Sequence, residues 1–166
     1  MNMINSFGIA FVLAILIPNI VVVQLSKGKM QFEWKQFAAY AVEGIGRCGC
    51  VAFMMINVPG TWSGFWFPEA FPLYVLINTV LVIAYIVLWL LLWDKDTVFK
   101  ALSLSIIPSA IFLFSGVALL SVPLIVSAVM FACAHILISY KSVMIRKRIN
   151  ETKKLEEPES GFFRIG

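Results

Sequence analysis

The chain has 166 residues, of which 61% are hydrophobic and only 13% are charged. Soluble domains carry about 25% charged residues, so this composition excludes an ordinary soluble domain and indicates an integral membrane protein. The net charge of +4 does not indicate a nucleic-acid partner, because the basic residues flank apolar segments in a pattern that membrane topology explains.

Five apolar segments are each near the length of about 20 residues that a helix needs to cross a bilayer. They cover residues 7–24, 36–58, 71–93, 99–120 and 122–140. The sequence therefore predicts an all-α, polytopic membrane protein built as a bundle of five transmembrane helices. We interpret the first segment as a retained helix rather than a signal peptide, because it lacks a basic start and an A-x-A cleavage site.

In the first segment, Pro18 removes a backbone hydrogen bond and predicts a kink. Asn19, beside it, is a candidate partner for the freed carbonyl or for a ligand. Pro108 and the neighbouring Ser105 and Ser109 repeat this arrangement in the fourth segment. A binding site and a kink that improves packing are both open interpretations.

The second segment contains Glu43 and Arg47, which are one helical turn apart and can pair on one face. An ionisable group inside a bilayer costs roughly 2.5–3.5 kcal/mol. A cost of this size indicates that the pair has a structural or functional role. Two hypotheses stand: a structural ion pair that fixes helix packing, and a substrate or proton site. Small residues on several sides of this helix predict a central position in the bundle.

Cys48 and Cys50 lie on nearly opposite sides of the second helix and cannot bridge each other, and Cys133 lies in the fifth segment. We interpret all three as small packing residues, while a thiol dyad of Cys48 or Cys50 with His135 stays open. The sequence contains no hydrolase, zinc-protease or phosphate-loop motif. No catalytic residue, metal site or cofactor is predicted, and enzymatic activity is left uncertain.

Residues 59–72, PGTWSGFWFPEAFP, combine prolines with Trp and Phe. Because Trp favours the membrane interface, we interpret this loop as an interfacial cap, with a lid over an outward-opening cavity as the alternative. The third segment follows and has almost no small residues, so we expect it at the edge of the bundle. Its Asn78 and Tyr85 should turn inward.

The fifth segment contains His135, the only histidine of the chain. At about 1.5 Å per helical residue, it lies at a depth similar to those of Glu43 and Asn19, whereas Asn78 lies too far toward the other side to join them. A proton relay and a hydrogen bond to a neighbouring helix are the two interpretations of His135. The candidate ligand-binding residues are Asn19, Glu43, Arg47, Ser109 and His135.

The basic residues predict the orientation. Arg47 lies inside a segment, and the other twelve of the thirteen Lys and Arg residues all fall on one side if five helices alternate. The positive-inside rule then places the N-terminus outside and the C-terminus in the cytoplasm. Residues 1–142 form the predicted transmembrane domain, and residues 143–166 form a basic cytoplasmic tail whose helix extends to Pro158. The tail basic residues at 146–148 should attract anionic lipid headgroups.

Four stretches carry a resemblance: LIPNI, EGIGRCGC, KALSLSIIPS and HILISYK, spread over residues 7–141. They resemble a group of short multi-spanning membrane proteins of Gram-positive bacteria. The resemblance implies a multi-pass protein of a bacterial plasma membrane, and it implies nothing about chemistry.

We therefore expect an integral membrane protein that binds a small molecule or a lipid in an intramembrane polar pocket, as a component of a transport system. The alternative is a non-catalytic structural or regulatory subunit of a larger membrane complex. The expected partners are the lipid bilayer and either a small molecule or another membrane protein, and not nucleic acid. Five segments without an internal repeat weigh against a stand-alone carrier, since many carriers consist of two repeated halves.

Overall fold

A computed structural model describes residues 4–25, 37–61, 64–67, 69–93 and 97–160. Within them the chain forms five α-helices and no β-strand: α1 Ser6–Leu25, α2 Phe37–Met55, α3 Ala70–Leu91, α4 Val98–Ala118 and α5 Val122–Ser160. The predicted all-α class and the five helices are confirmed. Each predicted segment overlaps one helix.

Four of the described helices, α2 to α5, are long and apolar enough to cross a membrane. In α1, the part whose side chains are described, Ser6–Val21, is apolar but shorter. These lengths and compositions are those of a membrane-embedded protein.

The helices are arranged as a ring. Following contacts from one helix to the next gives the order α1, α2, α5, α4, α3 and back to α1, and α2 also contacts α4 across the ring. Sequence neighbours α2 and α3 are therefore separated in space by α1. The largest interfaces are those of α5 with α2 and with α4.

At one end of the ring, which we call the capped end, Asn5 before α1 and the described residues of the loop between α2 and α3 pack on the helices. Asn5 donates its backbone N–H to the Met55 carbonyl at 2.9 Å and its side-chain amide to the Tyr74 hydroxyl at 3.2 Å. In the loop, Trp66 donates its indole N–H to the Val117 carbonyl at 2.9 Å, and the Phe65 ring packs beside Tyr74. The described part of the loop thus packs on this end of the bundle, and its place at the membrane interface stays a prediction.

The apolar core fills the half of the ring next to the capped end. Its buried members come from all five helices: Phe11, Val12, Ile15, Cys50, Met54, Tyr74, Val82, Tyr85, Ile111, Phe112, Leu119, Leu124, Ala128 and Phe131. Large side chains packed at the density of protein interiors leave few voids among them.

The opposite half, which we call the tail half, comprises residues 16–25, 37–47, 86–91, 98–108 and 132–140. Few of its described side chains are buried, and those are mostly small: Pro18, Gly46, Ser105, Pro108, Ala134 and Ile138. The bundle is therefore closely packed toward one end and loosely packed toward the other.

The prediction that α2 lies centrally is wrong. Only 17% of its spanning window is buried, against 44% for α4, which makes α4 the most enclosed of the four spanning helices. The small residues of α2 serve a single contact: Gly46 lies against the Phe131 backbone of α5, whereas a Cβ at Gly44 would have nothing within 4 Å. Asn78 and Tyr85 of α3 do turn inward and are buried, as predicted.

Neither internal proline ends its helix, since α1 continues past Pro18 and α4 past Pro108. The polar neighbours bond carbonyls of their own helices, Asn19 to Ile15 at 3.1 Å and Ser109 to Ser105 at 2.8 Å. These are not the carbonyls that the prolines free, which lie one residue earlier in each helix.

The long helix α5 continues beyond the apolar segment to Ser160, two residues past the predicted end at Pro158. The boundary between a transmembrane domain and a tail at residues 142 and 143 stays a prediction.

Candidate functional site

Helix α2 places Glu43 and Arg47 on the face that points into the ring. Side chains in a helix lean toward its N-terminus, so the Arg47 guanidinium extends back over the preceding turn and Nη2 donates to Glu43 Oε1. The predicted pairing of the two charges within one helix is confirmed.

Helix α5 supplies a second donor to the same carboxylate. His135 Nδ1 lies 3.0 Å from Glu43 Oε1. With Glu43 ionised, its carboxylate only accepts hydrogen bonds, and the imidazole then carries its proton on Nδ1. Glu43 thus joins α2 to α5, and His135 is the interhelical hydrogen-bond partner that one of the two sequence interpretations described.

An aromatic platform supports the three charged and polar groups. The Phe131 ring stacks on the His135 imidazole with centroids 4.7 Å apart and planes inclined by 18°, and the Arg47 guanidinium carbon lies 5.7 Å from the Phe131 centroid. Phe112 of α4 contacts the other edge of Phe131. This close approach needs Gly46, because a Cβ there would lie 2.7 Å from the Phe131 nitrogen.

Tyr85 of α3 extends the polar cluster across the ring. Its hydroxyl donates to Asn19 Oδ1 of α1 at 3.2 Å. The sequence predicted Tyr85 to face inward but did not include it in the site, and it missed Phe131 altogether. The spacing of Tyr85 from the inward-facing Asn78, two helical turns, was the available signal.

We call the group Asn19, Glu43, Arg47, Tyr85 and His135 the polar recess. It lies at the junction between the closely packed half and the tail half. The side chain of Arg47 is 41% exposed, whereas those of His135 and Glu43 are 21% and 12% exposed. Arg47 is therefore the most accessible of the three side chains.

Ser109, the remaining predicted site residue, is not joined to the polar recess by any hydrogen bond among the described residues. Its hydroxyl bonds the Ser105 carbonyl, and the Ser105 hydroxyl contacts that of Ser139 at 2.5 Å. Ser139 lies one turn beyond His135 on α5. These serines form a separate link between α4 and α5.

A second buried polar group lies in the capped half. Asn78 donates to the Tyr74 carbonyl at 3.0 Å and accepts from the Ser115 hydroxyl at 3.3 Å. Its surroundings are the apolar core, so it ties α3 to α4. As the sequence predicted, it lies apart from Glu43 and His135.

The cysteines do not take part in the polar recess. Cys50 is buried in the core and Cys48 is exposed, and no hydrogen bond among the described residues joins either thiol to His135. Within the same residues, no group of three His, Cys, Asp or Glu side chains is placed to hold a metal ion.

A groove of about 450 Å³ lies between α4 and α5 in the tail half. It is lined by Leu102, Ala132, Cys133, Ile136, Leu137 and Tyr140. None of these belongs to the polar recess, and the apolar lining suits hydrocarbon rather than a polar ligand.

Comparisons with known proteins leave the function to be argued from this geometry. No protein-family model matches the chain, and neither a curated protein nor a solved structure is similar to it.

Proposed function

We propose that this chain is a multi-pass protein of a bacterial plasma membrane whose polar recess binds a small molecule or a lipid headgroup, as a component of a transport system. The site residues are Glu43, Arg47 and His135, with Asn19 through Tyr85. Ser109 has a packing role in this proposal.

The observation that supports the proposal is the partly exposed Arg47 inside the ring. If Arg47 only held helices together, its partners would be expected to enclose the guanidinium, because a buried charge is costly unless partners compensate it. Arg47 instead keeps 41% of its side chain accessible at the level where the packed core ends. Ionisable groups at such positions mark ligand or ion pathways in membrane proteins.

The proposed orientation places the capped end outside and the tail half on the cytoplasmic side, following the positive-inside rule. The recess then opens to the cytoplasm and to the inner leaflet, and the packed core and cap separate it from the outside. Anionic headgroups would meet the basic residues 146–148 near this side.

One observation favours the alternative, a structural or regulatory subunit of a larger membrane complex. Glu43 already has two donors from the chain itself, Arg47 and His135, so the pair needs no ligand to be satisfied. In that case substitutions in the recess would change stability or assembly and nothing else.

Labelling of an introduced cysteine by a charged reagent tests whether water reaches the recess. In a variant whose native cysteines are replaced by alanine, we expect Ala39→Cys, one turn from Glu43 on the same face, to react with a charged thiol reagent in inside-out vesicles. Ile45→Cys is the control, because Ile45 is exposed on the bundle surface, where the proposal places lipid, and a thiol in lipid forms little thiolate. Equal and slow reaction at both positions would contradict an open recess.

Ligand binding is tested with a panel of phospholipids and charged or neutral polar compounds added to the purified protein. A ligand at 100 times its Kd stabilises the folded state by about 2.7 kcal/mol, which a thermal shift detects. We expect at least one compound to raise the Tm of the wild type but not that of Arg47→Gln. If the panel raises neither Tm, or both equally, the recess is not a binding site.

A further inference from the structure

We propose that the ligand of the polar recess is an oxyanion, a carboxylate or a phosphate, bound by Arg47, and that Glu43 is an internal competitor that weakens this binding. The inference rests on the proposed function. It names the chemical class of the ligand and assigns opposite effects to two adjacent charges.

The accessible charge in the recess is positive. Glu43 is only 12% exposed, since Arg47 and His135 cover it, whereas Arg47 is 41% exposed. A molecule that enters the recess therefore meets the guanidinium before it meets the carboxylate. A cation would first meet the positive charge of Arg47, which repels it.

The Arg47 guanidinium has more N–H donors than its described hydrogen bond uses. Arginine carries five N–H donors, and among the described residues the only hydrogen bond that Arg47 donates goes to Glu43. The planar fork of the guanidinium matches the two oxygens of a carboxylate or phosphate. Phe131, stacked on His135, lies beneath the guanidinium and limits its movement.

Glu43 opposes such a ligand in two ways. Its carboxylate occupies one side of the guanidinium, and its negative charge repels a second anion nearby. When Arg47 turns to a ligand, Glu43 keeps its contact with His135 at 3.0 Å, so it is not left without a partner. This arrangement keeps the affinity moderate, which suits a site that must release what it binds.

The direction in which one substitution changes the affinity for an oxyanion separates this inference from a structural ion pair. Glu43→Gln keeps the size of the side chain and removes the competing charge. If the pair is closed for about nine-tenths of the time, releasing Arg47 raises the apparent affinity for an oxyanion about tenfold. A structural ion pair predicts lower stability and no gain in binding.

The test uses two probes at constant ionic strength set with sodium chloride. Inorganic phosphate is titrated onto the purified full chain, and nanodiscs of phosphatidylglycerol are compared with nanodiscs of phosphatidylcholine by native mass spectrometry. Binding of phosphate alone identifies a soluble ligand, and preference for phosphatidylglycerol alone identifies a lipid headgroup. Binding of both identifies the shared oxyanion chemistry.

Three variants of the recess and one control variant accompany the wild type. We expect Glu43→Gln to bind the probe about tenfold more tightly, and Arg47→Gln to bind at least tenfold more weakly. Arg47→Lys keeps the charge but loses the fork, so its affinity falls between that of the wild type and that of Arg47→Gln; it also serves if Arg47→Gln does not fold. Lys141→Gln, an exposed basic residue of α5 outside the recess, is the charge-matched control and should change affinity less than twofold.

The outcomes distinguish the two proposals. Weaker or unchanged oxyanion binding by Glu43→Gln, or equal losses in Arg47→Gln and Lys141→Gln, overturns this inference. If only neutral or cationic compounds stabilise the wild type through Arg47, the recess remains a binding site and the oxyanion assignment falls. If no compound binds, both fall.

Discussion

At the scale of single residues, one carboxylate organises the site. Glu43 accepts from Arg47 within its own helix and from His135 of α5. Removing one donor or the other leaves the carboxylate with different remaining partners. Without His135, Glu43 keeps its counter-charge. Without Arg47, a mostly buried carboxylate keeps only one hydrogen bond, which is the more costly situation.

We therefore expect Arg47→Leu to destabilise the protein more than His135→Leu. An interhelical hydrogen bond in a membrane bundle contributes roughly 0.6–1.7 kcal/mol, so we expect a loss of about 1 kcal/mol for His135→Leu. For Arg47→Leu we expect about 3 kcal/mol, the lower end for a broken buried pair, because Arg47 is partly exposed. Reversible unfolding in detergent or bicelles measures both losses.

Thr79→Val is the control for these variants. Among the described residues, the Thr79 hydroxyl bonds only the Val75 carbonyl of its own helix, on an exposed face, so its removal should cost less than about 0.5 kcal/mol. A larger loss for His135→Leu than for Arg47→Leu would contradict the ordering, and with it the view that charge compensation matters most at Glu43.

At the scale of the helices, the contact of α2 with α5 decides whether the recess forms. Gly46 lets the α2 backbone approach the Phe131 backbone, and a Cβ at that position would lie 2.7 Å from the Phe131 nitrogen and 2.9 Å from its Cα. Backbone atoms of a helix cannot move aside as a flexible side chain can. The distance from His135 to Glu43 depends on this approach.

We expect Gly46→Ala to destabilise the bundle by about 1–3 kcal/mol, as overpacking does, and to separate His135 from Glu43. Gly44→Ala is the matched control, two residues away on the same helix with nothing within 4 Å of the new Cβ. It should be neutral or stabilising by roughly 0.5–1 kcal/mol, because alanine favours a helix over glycine. Thermal unfolding of the two variants side by side measures the difference, and equal effects would mean that α2 and α5 do not pack as closely as described.

At the scale of the whole molecule, the two ends of the ring differ in packing and in charge. The capped end carries most of the apolar core and the described part of the loop between α2 and α3. The basic residues of the sequence flank the other ends of the helices, which predicts that this side faces the cytoplasm. In the proposed orientation, the closely packed end faces the outside and the tail half faces the cytoplasm.

Cysteine labelling in intact cells measures this orientation. In a background without native cysteines, we expect Thr61→Cys in the loop to react with an impermeant maleimide. Glu151→Cys on the tail of α5 should react only after the membrane is permeabilised. Both positions are exposed, so access to the reagent depends on the side of the membrane and not on burial. The reverse pattern would place the recess on the outer side and contradict the proposed access from the cytoplasm.

Much of this architecture was predictable, because its signals are local. Helix number and approximate ends follow from runs of apolar residues, and the Glu43 and Arg47 pair follows from the helical period. The position of α2 was mispredicted for a physical reason. Small residues permit close packing but do not reveal how many neighbours use them: of the three glycines of this helix, Gly46 and Gly49 lie against α5, whereas Gly44 has no neighbour within 4 Å of a Cβ.

The sequence by itself determined that this is a helical membrane protein of five segments with an ion pair inside the second. Only the tertiary structure decided the order of the helices in the ring, the addition of His135, Tyr85 and Phe131 to the pair, and the end of the ring at which the core is packed. Apolar side chains in a membrane suit lipid and neighbouring helices equally well, so a single chain does not indicate which face meets which helix. The partners of Glu43 and Arg47 depend on those faces, and therefore they appear only once the bundle is assembled.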